Sequence, residues 1–402
     1  MKIRSLTYFI NPGKHLDEKI TGAARHARQL RDSLAVTGIE VETIRLATTP
    51  FPIWLDIEHP LRAMVQLQKL EDQARQEGFD YVSIGPALPA ELTSYYMIPD
   101  ILSSTNLFAC ALMTTPGNSL DTRAVKACAT IIHRSGKASP DGFTNLRFAA
   151  LGQVKAGSPF FPSAYAHPRK LGYGIAIEGA DLAIDAFSTA TDISGAQSSL
   201  VDRINSEAAR ILKTCESVTI DDQRLIGIDF TLAPFPDDRT STGKALEKLG
   251  VPALGKAGSV TAAAILMSAM QQAKYPRTGF NGLMMPVLED SYLAKRAAEG
   301  SLGIQDLLLY STVCGTGLDT IPLPGDTTED QLYAILLDIG ALSLRLNKPL
   351  TARLMPIPGK SAGDVTEFEF SYFANSRVMD PDADALTGLL ALDGVVPICT
   401  RK

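Results

Sequence analysis

The chain has 402 residues, 45% hydrophobic and 20% charged, with a formal charge of −6 at neutral pH. That balance supports a large buried core and excludes a disordered chain. With no dense Lys/Arg run, neither a nucleic-acid backbone nor an anionic membrane is expected as a partner. The five cysteines, Cys110, Cys128, Cys215, Cys314 and Cys399, are odd in number and never spaced C-x-x-C. A disulfide scaffold or zinc ribbon is therefore not expected. Residues 1–8 lack the apolar core of a signal peptide, and no run reaches the ~18 apolar residues of a membrane span, so the expected location is cytoplasmic. A homodimer is the base expectation for such a chain.

Along the chain, short apolar runs alternate with amphipathic ones. Strands are predicted at 3–10, 39–46, 81–84, 107–113, 146–151, 173–177, 225–232, 283–287, 318–323, 351–357 and 368–373. Between most of them lies a helix-sized stretch: 17–37, 60–77, 119–133, 197–215, 261–273 and 329–346. Strands separated by helices are the pattern of βα units on a mostly parallel sheet. Roughly ten such units without a Pro/Gly/Ser linker fit one closed α/β barrel over residues 1–402, because strongly twisted open sheets rarely exceed ~10 strands.

The longest irregular stretch, 153–171, contains Phe160, Phe161 and Pro162. Loops of that length commonly act as lids or binding loops. A lid over a polar grip is expected, with Asn145 and Arg147 beneath it and Arg147 suited to holding a carboxylate. The alternative is a surface ion pair for Arg147 and core packing for the rings.

Cys314 ends an apolar helical run and is followed by Gly315, Gly317 and Asp319. One reading is a nucleophilic or acid/base thiol, with the Gly315 backbone N–H near an oxyanion and Asp319 orienting a partner. The other is a small buried hydrophobe at a helix C-terminus with capping glycines. A helix C-terminus disfavours a thiolate, so any His partner, His59 or His167, must come from far along the chain.

Lys256, Gly258, Ser259 and Thr261 precede an alanine-rich helix. Free N–H groups, hydroxyls and an ammonium there suit a phosphate or carboxylate, and the plain alternative is an N-cap by Ser259. The G-x-x-x-x-G-K-[ST] spacing of a nucleotide loop is absent. Acidic groups recur at strand ends: Glu178 with Asp181, Asp229, Glu289 with Asp290, and Asp319. Such groups can act as acid/base pairs or hold Mg²⁺ or Ca²⁺ through oxygen. Glu178, Asp181 and Asp290 are the metal candidates. Asp229, Glu289 and Asp319 are the catalytic ones. Helix capping is the plain reading for Asp181 and Asp290.

The segments Asn145-Leu-Arg-Phe-Ala-Ala, Ser158-Pro-Phe-Phe-Pro-Ser-Ala-Tyr, Ile177-Glu-Gly-Ala-Asp-Leu-Ala, Ile228-Asp-Phe-Thr-Leu-Ala-Pro, Asn281-Gly-Leu-Met-Met-Pro-Val-Leu-Glu-Asp and Val313-Cys-Gly-Thr-Gly-Leu-Asp together resemble domain-of-unknown-function family 711. The resemblance implies a ten-stranded α/β barrel similar to pyruvate formate-lyase and other glycyl-radical enzymes, with Cys314 in a place analogous to their active cysteine on a loop inside the barrel; Asn281 is a further candidate for substrate binding. It does not imply radical chemistry: Ser376-Arg-Val-Met-Asp-Pro lacks the glycine that would carry the radical. The expectation is an enzyme of lyase or transferase type, acting without a radical on a small carboxylate or phosphate. A non-catalytic metabolite-binding barrel and a Mg²⁺-dependent hydrolase are the alternatives.

Overall fold

The computed structural model describes residues 1–401 except 219, 221, 222, 314 and 315. Its strands are β1 (Lys2–Ile10), β2 (Val41–Thr48), β3 (Tyr81–Ala87), β4 (Phe108–Leu112), β5 (Ser119–Asp121), β6 (Phe148–Gly152), β7 (Gly172–Glu178), β8 (Leu225–Ala233), β9 (Gly317–Pro324), β10 (Leu350–Ile357) and β11 (Val395–Pro397). Nine form one mostly parallel sheet in the order β8-β7-β1-β2-β3-β4-β6-β10-β9, while β5 and β11 pair separately. The central five, β1, β2, β3, β4 and β6, run parallel. The pairs β7-β8 and β10-β9 are each parallel internally and antiparallel to the centre.

Alternation along the strands separates two faces. Leu6, Tyr8, Ile44, Leu46, Val82, Ile84, Ala109 and Phe148 point to the outer side, into the large core beneath the helices. Phe9, Ala47 and Phe108 point to the inner side. Sequence signals fix the helices against the outer side. Asp121 and Asp192 cap helices 122–136 and 193–217, and Thr328 with Gln331 closes a capping box on helix 329–346.

The stretch after β6 is a filling rather than the expected lid. Phe160, Phe161, Ser163, Ala164 and Ala166 are all buried because the loop runs along the inner face of the sheet. Small inner residues leave the room, and their hydroxyls satisfy its carbonyls. Thr7 donates to the Pro159 carbonyl at 2.8 Å and Ser83 to the Ala164 carbonyl at 2.8 Å. At Gly174, an added Cβ would sit 3.2 Å from the Phe9 ring and 3.4 Å from Pro159.

Two predicted strands are something else. Residues 283–287 contribute only a bridge, Pro286 beside Asp319. Residues 368–373 form the tip of a hairpin-like flap, whose arms meet where Thr366 N–H donates to the Ser376 carbonyl at 2.9 Å and Val378 N–H to the Asp364 carbonyl at 2.8 Å. Segment 276–287 touches both edges of the sheet. Its Thr278 N–H donates to the Ile228 carbonyl of β8 at 3.2 Å, and its Val287 N–H to the Asp319 carbonyl of β9 at 3.0 Å.

Asp229 pins that segment. Its carboxylate accepts from the N–H groups of Phe280 (2.7 Å), Asn281 (2.8 Å) and Thr231 (3.0 Å) and from the Thr231 hydroxyl. Gly279 lies at φ +73°, and a Cβ there would come 2.0 Å from Asp229 Oδ2. Gly279→Ala should therefore lower stability by at least ~2 kcal/mol in denaturant titration; an unchanged midpoint would contradict this packing.

Candidate functional site

A cavity of about 510 Å³ opens at the end of the sheet where β1, β2, β3 and β4 begin. Its polar side is an ion-pair network built on two irregularities in the strands. Between Ile3 and Ser5 the register of β1 against β7 shifts by one, so Ile3 and Leu6 both remain in the outer core and Arg4 is turned inward. A second shift lies between Ala352 and Leu354 of β10, opposite Leu318 and Ile321 of β9. There Asp319 and Thr320 oppose the single residue Arg353. Thr320 takes up the extra residue at φ +44°, a conformation costly for a β-branched side chain. Bulges re-aim side chains, and both of these deliver charge to one place.

Arg4 donates to Glu178 and to Glu289, each at 2.9 Å. Arg353 donates to the other oxygen of Glu289 at 2.7 Å and to Asp319 at 2.5 Å. Lys2 lies 3.3 Å from Glu42 and 3.4 Å from Glu178. The flap completes this side: Tyr372 hydrogen-bonds Glu42 and its ring lies 5.0 Å from the Arg4 guanidinium. Burial drives the Glu178 carboxyl up to about 7, against the pull of Arg4 and Lys2.

Arg45 differs from its neighbours. It is buried and lines the cavity; its Nε donates to Thr43 at 2.9 Å, and its guanidinium lies over the rings of Tyr81 and Phe161 at 5.4 and 5.3 Å. Among the described residues no carboxylate forms an ion pair with it, whereas Arg4 and Arg353 are each doubly paired. Burial and then repulsion from Arg4 pull its pKa down to about 10, which leaves it cationic at neutral pH. An unpaired buried cation facing an open cavity is poised to take an anion.

The sequence candidates divide. Asp319, Glu289, Arg147, Phe160 and Phe161 line the cavity, and Glu178 touches it through Arg4. Arg147 is not free to hold a carboxylate: it donates to the carbonyls of Leu102 at 2.6 Å and Thr105 at 2.5 Å, finishing helix 93–104. Asn145 turns away to the Ile132 carbonyl, and Asn281 braces segment 276–287 through Tyr275 and Thr278. Asp229 is likewise a brace.

The Lys256 to Thr261 turn lies outside the cavity lining. Gly258 stands before the helix that begins at Ser259, and the buried Ser259 hydroxyl donates to the Lys256 carbonyl at 2.7 Å, while Lys256 and Thr261 are exposed. The expected N-cap by Ser259 is not formed: Gly258 holds the cap position with no side-chain cap hydrogen bond, and Ser259 is the first helical residue. Glu178, Asp181 and Asp290 do not gather as metal ligands: Asp181 pairs with the N-terminal amine and Asp290 caps helix 291–298 while accepting from Ser241 at 2.6 Å. No cluster of three His, Cys, Asp or Glu suited to a metal occurs among the described residues. Cys314 and Gly315 lie outside the described residues. Burial raises the thiol pKa of Cys110, Cys128 and Cys215, so none of those three is a ready thiolate.

Sequence reading missed Arg4, Arg45 and Arg353. Arg45 and Arg353 had a signal: an arginine between apolar strand residues, as in Ile44-Arg45-Leu46 and Ala352-Arg353-Leu354, must be buried with a reason.

The raised Glu178 has a consequence for pH. Its protonated form is favoured in the fold, so its stabilising share is complete below the usual carboxylate pKa near 4.5 and is lost as pH rises through about 7. In urea titrations across pH 4.5–8, Glu178→Gln should flatten that decline relative to the native chain. Parallel curves would contradict it.

The chain matches the family described as Uncharacterised ACR (DUF711) over residues 1–374. It is 30% identical over 384 residues to a UPF0210 protein of Pyrobaculum aerophilum, covering 90% of this chain and 83% of that one. It is 29% identical over 398 residues to one of Pyrobaculum arsenaticum, covering 92% and 86%. A UPF0210 protein of Clostridium perfringens is 25% identical over 374 residues, covering 87% and 82%. No described helix is long and apolar enough to cross a membrane. With a family match across nine-tenths of its length and relatives this extensive, the chain belongs to the DUF711 family.

Proposed function

We propose that this protein binds a small carboxylate-bearing metabolite in the cavity, with Arg45 as its anion ligand, and acts on it as an enzyme of lyase or transferase type without a glycyl radical. The observation that carries the reading is the buried Arg45 guanidinium, which faces the cavity without a carboxylate partner among the described residues. A volume of about 510 Å³ suits a metabolite, since ligand pockets commonly span ~300–1,000 Å³. In this reading Glu289 and Asp319, fixed by Arg4 and Arg353, frame the reacting part of the ligand, and Cys314 is the candidate thiol.

The same proposal includes closure of the sheet into one barrel domain. Segment 276–287 runs parallel to both edge strands where it touches them, so it would serve as a tenth position. The ring would then consist of five parallel strands facing five of opposite direction.

A binding protein without turnover is the second reading, favoured by one observation: Glu289 and Asp319 are both held by arginines, which leaves neither as a free base. Product analysis on the bound acid separates the two, and Cys314→Ser tests the thiol. Lost turnover with unchanged binding and melting temperature supports the enzyme; full activity in that variant removes the sulfur from the mechanism.

Arg45→Met tests the reading itself. It should weaken carboxylate binding at least ~30-fold in calorimetric titration. It should also raise the Tm of the unliganded protein, because an uncompensated buried charge is replaced by an apolar chain. Undiminished binding by that variant would refute the assignment.

A further inference from the structure

Resting on the carboxylate reading above, we infer that the ligand of this cavity carries a planar aromatic ring joined to its carboxylate, and is neither a short aliphatic acid nor a phosphate. Two separate groups of rings line the space. In one, Tyr81, Phe108 and Phe161 form an edge-to-face chain with centroids 5.3 and 5.2 Å apart. In the other, on the flap side, Phe143 meets Phe370 edge-to-face at 5.0 Å, and Phe370 lies 5.1 Å from Tyr372.

A ring has a negative face and a positive edge, so a further ring extends an edge-to-face array favourably, whereas a saturated ring of similar size gains only buried area. The anion and ring positions adjoin. Arg45 lies over the faces of Tyr81 and Phe161, so a carboxylate on its guanidinium places the attached group directly against the first set of rings. The charge also selects. One guanidinium without an ion-pair partner among the described residues suits a monoanion, while the second charge of a phosphate dianion would meet the fields of Glu42 and Glu289, which already reach Arg45.

The test is calorimetric titration of the full chain with four probes: benzoate, cyclohexanecarboxylate, acetate and inorganic phosphate. Benzoate should bind at least about fivefold more tightly than cyclohexanecarboxylate, although the saturated ring is the more hydrophobic, with acetate and phosphate weaker still. Phe370→Leu should bring the benzoate to cyclohexanecarboxylate ratio close to one while carboxylate binding persists; if that variant does not fold, the ratio in the native chain decides. A cyclohexanecarboxylate affinity equal to or above that of benzoate, or binding confined to acetate, overturns the aromatic inference and leaves the carboxylate reading standing; binding confined to phosphate overturns both. Absence of binding by all four probes overturns both.

Discussion

One carboxylate, Glu289, accepts from guanidinium groups on strands that are five places apart in the sheet. Arg4 comes from β1, third in the strand order, and Arg353 from β10, eighth. In a flat sheet those strands would lie roughly 24 Å apart with their side chains standing perpendicular to it, given a spacing of ~4.8 Å. Both side chains reach Glu289 because the sheet curls strongly, and the inner face thereby becomes a pocket instead of a surface. The largely buried part of the loop, 157–166, then occupies much of that pocket, and the cavity is the part it leaves open at one end.

Within this enclosure the charges are nearly all paired. Burying ions is costly unless each finds a partner of good geometry, and Arg4, Arg353, Glu289 and Asp319 meet that condition by mutual hydrogen bonds. Arg45 stands against this background. A threonine hydroxyl and two ring faces hold its guanidinium, while Glu42 and Glu289 act on it through space without forming an ion pair with it. A buried cation without an ion-pair partner among the described residues concentrates an unsatisfied cost where a ligand can relieve it. The strained backbone at Thr320 and the bulge at Arg4 belong to the same cluster, as expected of a site whose geometry outranks local preference.

Much of the fold was legible because it depends on local pattern. Nine of the predicted strands lie in the main sheet, since alternating or continuous apolar runs report burial directly. Residues 368–373 misled because Phe-Glu-Phe-Ser-Tyr-Phe alternates as a strand does, although its rings pack within a flap tip. The cavity was harder to read. Glu289 and Asp319 were visible as acids at strand ends, yet the gathering of Arg4 and Arg353 upon them depends on bulges, which are matters of register between distant strands. The Ser259 turn misled in another way: serine at a helix start reads as an N-cap, but the chain enters the helix one residue earlier, with Gly258 at the cap position in the left-handed conformation. The Asp229 brace was likewise invisible, because two of its four donors, the Phe280 and Asn281 N–H groups, lie 51 and 52 residues further along.

The most direct measurement is a high-resolution crystal structure of the protein soaked with benzoate. The account predicts the carboxylate within about 3 Å of the Arg45 guanidinium, with the ring between it and the aromatic walls. Density for the acid elsewhere on the protein, with the Arg45 guanidinium turned to a protein carboxylate, would contradict it.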